Sequence, residues 1–316
     1  MVQVNTSRAD LIRALGTLAE EPQPEHGRLA AALGLPGAPE SGAFTDLFAL
    51  NLYPYASVHL GPEGMMGGVA RDRVAGFWSA LGLLPPAEPD HLGTLLGLLA
   101  ELAERHERET EAAARILLSR ARAALVQEHL VTWLPAFLGR VAELGGPFYA
   151  AWAKLALQAL ADEAAAARAL PEIAERPRES PLPLHLRDVA PLPDPREPGD
   201  TDTPGEDFLR ALLAPVRSGM ILTRVDLSRA ARQLELGARM GERLYILKAL
   251  LGQDSAATLR WLADEARAWT ARHQAVSGFA PDVTAFWIAR ASATARLLDE
   301  LAVVDVDMND GGRDHA

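Results

Sequence analysis

The sequence contains no cysteine, few aromatic residues and no excess of positive charge. Without cysteine there is no disulfide, no thiolate nucleophile and no cysteine-ligated zinc or iron–sulfur site. The formal net charge of −11 argues against a general nucleic-acid-binding protein, which would carry a basic patch or stripe. We therefore expect no nucleic-acid partner.

Long apolar segments are also lacking. No apolar run approaches the ~20 residues that a helix needs to cross a bilayer. Residues 1–18 intersperse polar and charged side chains, which is unlike the continuous apolar core of a signal peptide. These features predict a cytoplasmic protein without stable membrane insertion.

The residues that are abundant favour helices. Apolar residues make up 49% of the 316 residues and aromatics only 6%, and Ala and Leu dominate the apolar set. Ser7 with Asp10, and Thr223 with Asp226, have the spacing of a helix-capping box. We find no strand pattern and no repeat of fixed period, so the predicted fold class is all-α.

Proline divides the chain. Nine prolines occur from Pro171 to Pro204 inclusive, which predicts a linker or strap. Leu182, Leu184 and Leu186 favour a strap that docks on the protein. Thr203 followed by Pro204 is typical of a helix start. The predicted regions are a helical bundle, a proline-rich strap, a C-terminal helical region and a disordered acidic tail: 1–170, 171–203, 204–302 and 303–316.

Two polar motifs stand out against the helical background. Glu88-Pro89-Asp90-His91 precedes an apolar run, and His129-Leu-Val-Thr-Trp133-Leu-Pro135-Ala-Phe137 follows about forty residues later. Pro135 predicts a kink or a restart of the helix around it. No nucleophile–base pair or phosphate-binding loop accompanies the motifs, so they indicate a recognition surface and not an active site.

With Tyr53, Tyr55 and the pair Phe77-Trp78, these motifs resemble the TorD/DmsD/NarJ-like family of redox-enzyme maturation chaperones over about residues 47–170. The resemblance implies a TorD-like helical bundle, here followed by the strap and additional C-terminal helices. It implies a chaperone, not an enzyme, that binds an apo-molybdoenzyme catalytic subunit or its twin-arginine signal peptide until the cofactor is inserted. It implies no resident cofactor, although weak guanine-nucleotide binding occurs in the family, and it leaves monomer and homodimer open.

The candidate partner-binding residues come from both motifs and from the segment before them. Glu88 and Asp90 offer carboxylates for an arginine pair, and Trp133 and Phe137 offer an apolar groove. Structural roles are nevertheless favoured for most of them: Asp90 as a helix N-cap, His91 and His129 as hydrogen-bonded structural histidines that could face each other, and the aromatics in the core. The full candidate set is Tyr53, Tyr55, Glu88, Asp90, His91, His129, Trp133, Pro135 and Phe137.

A second function stays open for the C-terminal half. Residues 227–251 resemble a helix-turn-helix weakly, because two predicted helices flank Gly237 and several arginines lie nearby. The alternative is therefore a helical regulatory or scaffold protein that uses this half.

Overall fold

The computed structural model describes residues 7–170, 182–197 and 204–311, with side chains described to residue 304. Within these ranges the chain is helical, and the one β feature is an isolated bridge between Tyr55 and His91. The prediction of an all-α fold is confirmed. No described helix combines the length and the apolar character that crossing a membrane requires.

The chain divides into two compact units, each built from separate segments. The first unit comprises Met1–Gly61, Met66–Arg187 and Val276–Val283. The second comprises Pro62–Met65, Asp188–Ala275 and Thr284–Ala316. The described part of the proline-rich segment is shared, since residues 182–187 belong to the first unit and 188–197 to the second.

Nine α-helices and two π-helical segments are described in the first unit. The α-helices are α1 Arg8–Thr17, α2 His26–Ala32, α3 Ser41–Phe44, α4 Ala56–Leu60, α5 Gly68–Ala80, α6 Leu92–Arg108, α7 Ala112–Ala124, α8 Leu134–Leu144 and α9 Gly146–Arg168. The π segments are Thr45–Ala49 and Leu125–Leu130. Because the second π segment ends before α8 and Pro135 lies in the first turn of α8, the helix restarts there, as predicted.

Helix α1 lies against α6 at an unusually close approach. A Cβ atom added at Gly16 of α1 would lie 3.0 Å from the carbonyl oxygen of Gly93 in α6. The capping box of Ser7 and Asp10 opens α1, as predicted. The close approach brings Glu20, just beyond the end of α1, next to the start of α6.

A buried carboxylate connects three helices of the first unit. Glu163 of α9 accepts hydrogen bonds from Arg122 of α7, with its Oε2 2.7 Å from Arg122 Nε, and also pairs with Arg8 of α1. Trp152 of α9 is buried and donates to the backbone oxygen of Leu15 in α1 at 3.1 Å. These polar contacts help to fix the relative positions of α1, α7 and α9.

Six further helices follow the proline-rich segment. They are α10 Pro204–Leu212, α11 Pro215–Ser218, α12 Arg224–Gln233, α13 Arg243–Gln253, α14 Ser255–Ala275 and α15 Pro281–Gly311. The box of Thr223 and Asp226 caps α12, as predicted, whereas the predicted cap Thr203 lies outside the described residues. The sequence predicted disorder from residue 303, but α15 continues to Gly311, and residues 312–316 lie outside the description.

The core of the second unit surrounds one histidine. His273 of α14 lies between Trp269 and Trp287, with ring centroids 5.2 and 5.6 Å away. Its Nε2 lies 2.9 Å from the backbone oxygen of Gly219, which has a left-handed backbone (φ 77°). Burial lowers the pKa of His273 to about 4, so the ring is neutral near pH 7 and can donate to that oxygen.

The close approach of Gly219 to α15 generates a stability prediction. We expect Gly219→Ala to lower the free energy of unfolding by about 2–4 kcal/mol, because a Cβ there would lie 2.8 Å from the Cα of Ala291 and force a left-handed alanine. Urea unfolding measures the change. The matched control is Gly252→Ala in α13, where a Cβ meets nothing within 4 Å and helix propensity predicts a gain of about 0.5–1 kcal/mol. Equal effects of the two substitutions would contradict the packing of Gly219.

Candidate functional site

The first motif is anchored to the tyrosine segment by a short antiparallel bridge. The amide of Ala56 donates to the carbonyl of Asp90 at 3.0 Å, and the amide of Leu92 donates to the carbonyl of Pro54 at 2.8 Å. Tyr55 and His91 lie opposite each other between these bonds. Residues 54–56 and 90–92 therefore form one local structure, although more than thirty residues separate them in the chain.

Asp90 is buried and caps a helix other than the one it precedes. Its Oδ2 accepts a hydrogen bond of 3.0 Å from the amide of Ser57 in the first turn of α4. First-turn amides have no partner within their own helix, so this carboxylate satisfies one of them. The prediction that Asp90 is the N-cap of the following helix was wrong. His91 is the N-cap of α6, and its Nδ1 accepts from the amide of Gly93 at 3.1 Å.

His91 is half-buried and surrounded by an aromatic ring and carboxylates. Its ring lies 4.9 Å from that of Tyr55 in an edge-to-face arrangement. Burial lowers the pKa of His91, while the charges of Glu88, Glu20 and Asp90 act in the opposite direction. Burial, and then a hydrogen bond to Glu88, raise the pKa of Tyr55 to about 12. Tyr55 therefore stays protonated and donates to that carboxylate.

Glu20 belongs to this group, but the sequence did not predict it. Glu20 and Glu88 are both exposed, and Glu20 also contacts the start of α6, where its Oε1 would lie 2.9 Å from a Cβ added at Gly93. A single glutamate after an amphipathic helix carries no sequence signal for such a role. Only the packing of α1 on α6 brings it to the motif.

The aromatic part of the second motif lies in the core. Trp133 is 1% exposed, its Nε1 donates to the backbone oxygen of His129 at 2.9 Å, and its ring stacks on His59 at 5.0 Å. Phe137 is fully buried, with its ring 5.2 Å from that of Trp133. These two side chains pack inside the unit and do not line an open groove.

His129 pairs with a histidine that lies outside both sequence motifs. The sequence left open a pairing of His91 with His129, and the structure does not bear it out. Instead, His129 Nδ1 lies 2.9 Å from Nε2 of His185, and the ring of Phe77 lies 4.8 Å from that of His129. Both histidines are buried. His185 is part of the proline-rich segment, where its neighbours Leu184 and Leu186 indicated docking but not a polar contact.

Side chains hold the turn that carries His185, which spans residues 182–187. The amide of Leu184 donates to Glu128 Oε2 at 2.8 Å, and its carbonyl oxygen accepts from Arg73 Nη1 at 3.0 Å. Within the turn, the amide of Leu186 donates to the carbonyl of Pro183 at 2.9 Å. The amide and the carbonyl group of Leu184 are thus bound by one acidic and one basic side chain, Glu128 and Arg73.

All nine candidate residues lie in the first unit, but few are accessible. Glu88 is exposed, and Tyr53, Tyr55 and His91 are half-buried. The buried members are Asp90, His129, Trp133, Pro135 and Phe137. The accessible part of the predicted site is therefore the group around His91, to which the structure adds Glu20. In the part of the chain that is described, no group of three or more potential metal ligands occurs.

The helices that resemble a helix-turn-helix are α12 and α13. Arg229 of α12 pairs with Asp226 and Glu265, with its Nη2 2.7 Å from Glu265 Oε2, and lies over the ring of Trp261. Arg243 donates to the carbonyl of Leu222 at 2.9 Å. Two of the arginines behind this alternative are thus engaged within the protein. The regulatory or scaffold function stays a prediction.

Residues 40–139 match the model of the nitrate reductase delta subunit family, which covers both motifs and the bridge between residues 54–56 and 90–92. The predicted resemblance to the TorD/NarJ family is confirmed over this segment. The chain is also similar to proteins named "Chaperone protein TorD" from two strains of Vibrio cholerae serotype O1. Each is 34% identical over 123 residues, covering 36% of this chain.

The similarity is partial on both sides. The chain spans 56%, or somewhat more than half, of the length of these curated relatives. No solved structure matches the chain.

The position of Asp90 generates the second prediction. Asp90→Ala removes the acceptor of the Ser57 amide, and we expect the free energy of unfolding to fall by about 1–3 kcal/mol because a buried donor then lacks a partner. Asp90→Asn keeps an acceptor oxygen and serves as the control with a smaller loss. Urea unfolding at pH 7 compares the three proteins. If Asp90→Ala is as stable as the wild type, the hydrogen bond from Ser57 to Asp90 does not contribute to the stability of the fold.

The pair of buried histidines generates a pH prediction. Burial lowers the pKa of His129 to about 4, and burial, with the charges of His129 and Arg73, lowers that of His185 further. Since an unfolded histidine titrates near 6.5, the folded state binds fewer protons below that pH. Stability should therefore fall as the pH drops from about 6.5 toward 4, by up to about 1.4 kcal/mol per pH unit for each histidine.

Urea unfolding between pH 7 and 5 measures this slope. The double variant His129→Gln and His185→Gln should lose the part of the slope that the pair causes, whatever its stability at pH 7. An unchanged slope in the double variant would show that other groups cause the acid sensitivity.

Proposed function

We propose that this protein is a cytoplasmic chaperone that binds the apo form of a molybdoenzyme catalytic subunit. The matched family segment contains the motifs that carry the candidate site, and the relatives matched in sequence are named as chaperones. A binding role also fits the site chemistry, which consists of carboxylates, a histidine and a tyrosine without a nucleophile–base pair. In this proposal the protein is not an enzyme and needs no cofactor of its own.

The observation that carries the proposal is the accessible group of Glu20, Glu88, Tyr55 and His91. Two exposed carboxylates next to half-buried rings suit a pair of guanidinium groups, because carboxylates accept charge-assisted hydrogen bonds and aromatic faces attract cations. Such a pair of arginines is present in a twin-arginine signal peptide. The net charge of −11 should further favour encounter with a basic peptide at low salt.

We further propose that the chaperone holds this signal peptide while the client receives its molybdenum cofactor. Binding would delay export or assembly until insertion is complete. This part of the proposal rests on the family resemblance, as does weak binding of guanine nucleotides.

The test is a calorimetric titration with a synthetic twin-arginine signal peptide at low ionic strength. We expect the double variant Glu20→Gln and Glu88→Gln to bind about tenfold more weakly, since each lost charge-assisted bond removes part of the binding free energy. Raising the salt concentration should weaken the wild type more than the double variant.

The matched control is the double variant Glu107→Gln and Glu111→Gln, which removes the same two charges from exposed positions near the end of α6 that is opposite His91. It should bind the peptide like the wild type. Equal losses in the control and in the variant of Glu20 and Glu88 would mean that net charge, and not the group around His91, governs binding. No binding by the wild type to the peptide or to an apo catalytic subunit would contradict the proposed function.

A further inference from the structure

A partly empty cavity lies beside the turn of residues 182–187 in the first unit. Its volume is about 150 Å³, and Pro183 of the turn forms one wall. Apolar side chains form much of the remaining lining: Val126, Val131, Ala164, Phe279 and Val283. Three polar or charged residues, Gln127, Arg168 and Asp282, also line the cavity, and it is open to solvent, so a side chain can enter it. The space next to the turn is therefore larger than the volume that the turn itself occupies.

The docked turn contains a buried polar atom that is not satisfied. His185 is 0% exposed, and its Nδ1 has no hydrogen-bond partner among the described residues. A buried nitrogen without a partner destabilises the docked arrangement relative to one in which water reaches it. The backbone of Leu184 is bound by the side chains of Arg73 and Glu128 and not by the backbone of a neighbouring segment.

The contacts that hold the turn do not depend on its particular sequence. Glu128 accepts from an amide and Arg73 donates to a carbonyl oxygen, groups that nearly every peptide provides. His129 offers a neutral ring beside Phe77, and the cavity offers space for an apolar side chain. The two charged residues of the cavity lining, Arg168 and Asp282, have opposite signs, so the combination favours an uncharged, apolar peptide segment over an arginine pair.

We propose that residues 182–187 cover a second client-binding surface, formed by Arg73, Phe77, Glu128, His129 and the adjoining cavity. The occupant that displaces the turn is the apolar stretch that follows the arginine pair of the signal peptide. The turn is then an internal competitor that the client must open before its apolar stretch binds. This inference rests on the proposed function, because it names a further part of the same client.

The experiment weakens the turn and measures two properties of the full chain. In His185→Ala the bond to His129 is lost, and Leu186→Ala removes a leucine that is 2% exposed in the turn and leaves His129 intact. We expect faster hydrogen exchange in peptides covering residues 182–187 and about tenfold tighter binding of a synthetic signal peptide, because the competent open form is more populated. The control is Leu184→Ala, whose side chain is 53% exposed and whose contacts are made by its backbone.

A second peptide keeps the arginine pair but has serine and glycine in place of the apolar stretch. Its affinity should be the same for the wild type and the two turn variants. Exchange that speeds up without any gain in affinity for the full peptide would overturn this inference while leaving the proposed function intact. An equal gain for both peptides would also overturn it. Failure of every protein to bind either peptide would contradict the proposed function together with this inference.

Discussion

The structure of the first unit depends on how the segment of residues 54–56 pairs with that of residues 90–92. Two backbone hydrogen bonds and the bond from Ser57 to Asp90 connect the start of α4 to the start of α6. Without Asp90, the first turn of α4 would have a buried amide with no acceptor. The orientation of His91 and Tyr55 follows directly, because they lie opposite each other in this bridge.

Most of the motif residues that mark the family therefore stabilise the fold. Asp90 and Trp133 each use a polar atom to satisfy a backbone group, and Phe137 fills the core. Replacing such a residue leaves a buried polar group unsatisfied or a cavity in the core, so few substitutions are tolerated there even if the residue does not contact a partner. Contact with a partner is left to side chains at the rim of the bridge, such as Glu20 and Glu88. The most recognisable residues of a sequence and its most accessible ones are different sets here.

Local signals in the sequence predicted much of the fold. The capping boxes at Ser7 and Thr223 and the helix restart at Pro135 depend on residues within one or two turns, so they can be read without knowledge of the tertiary structure. The cap at Asp90 was mispredicted because its partner, Ser57, is 33 residues away. Proximity in the chain favoured the following helix, whereas the bridge directs the carboxylate to α4.

The sequence by itself determined the all-α class and the resemblance to the TorD/NarJ family, because composition, helix caps and motif spacing are local properties. Only the tertiary structure decided which motif residues are accessible and which partners they have. It placed Glu20 beside His91 through the close contact of α1 and α6, and it paired His129 with His185 through the docked turn. These contacts join residues far apart in the chain, and their geometry depends on how the helices pack.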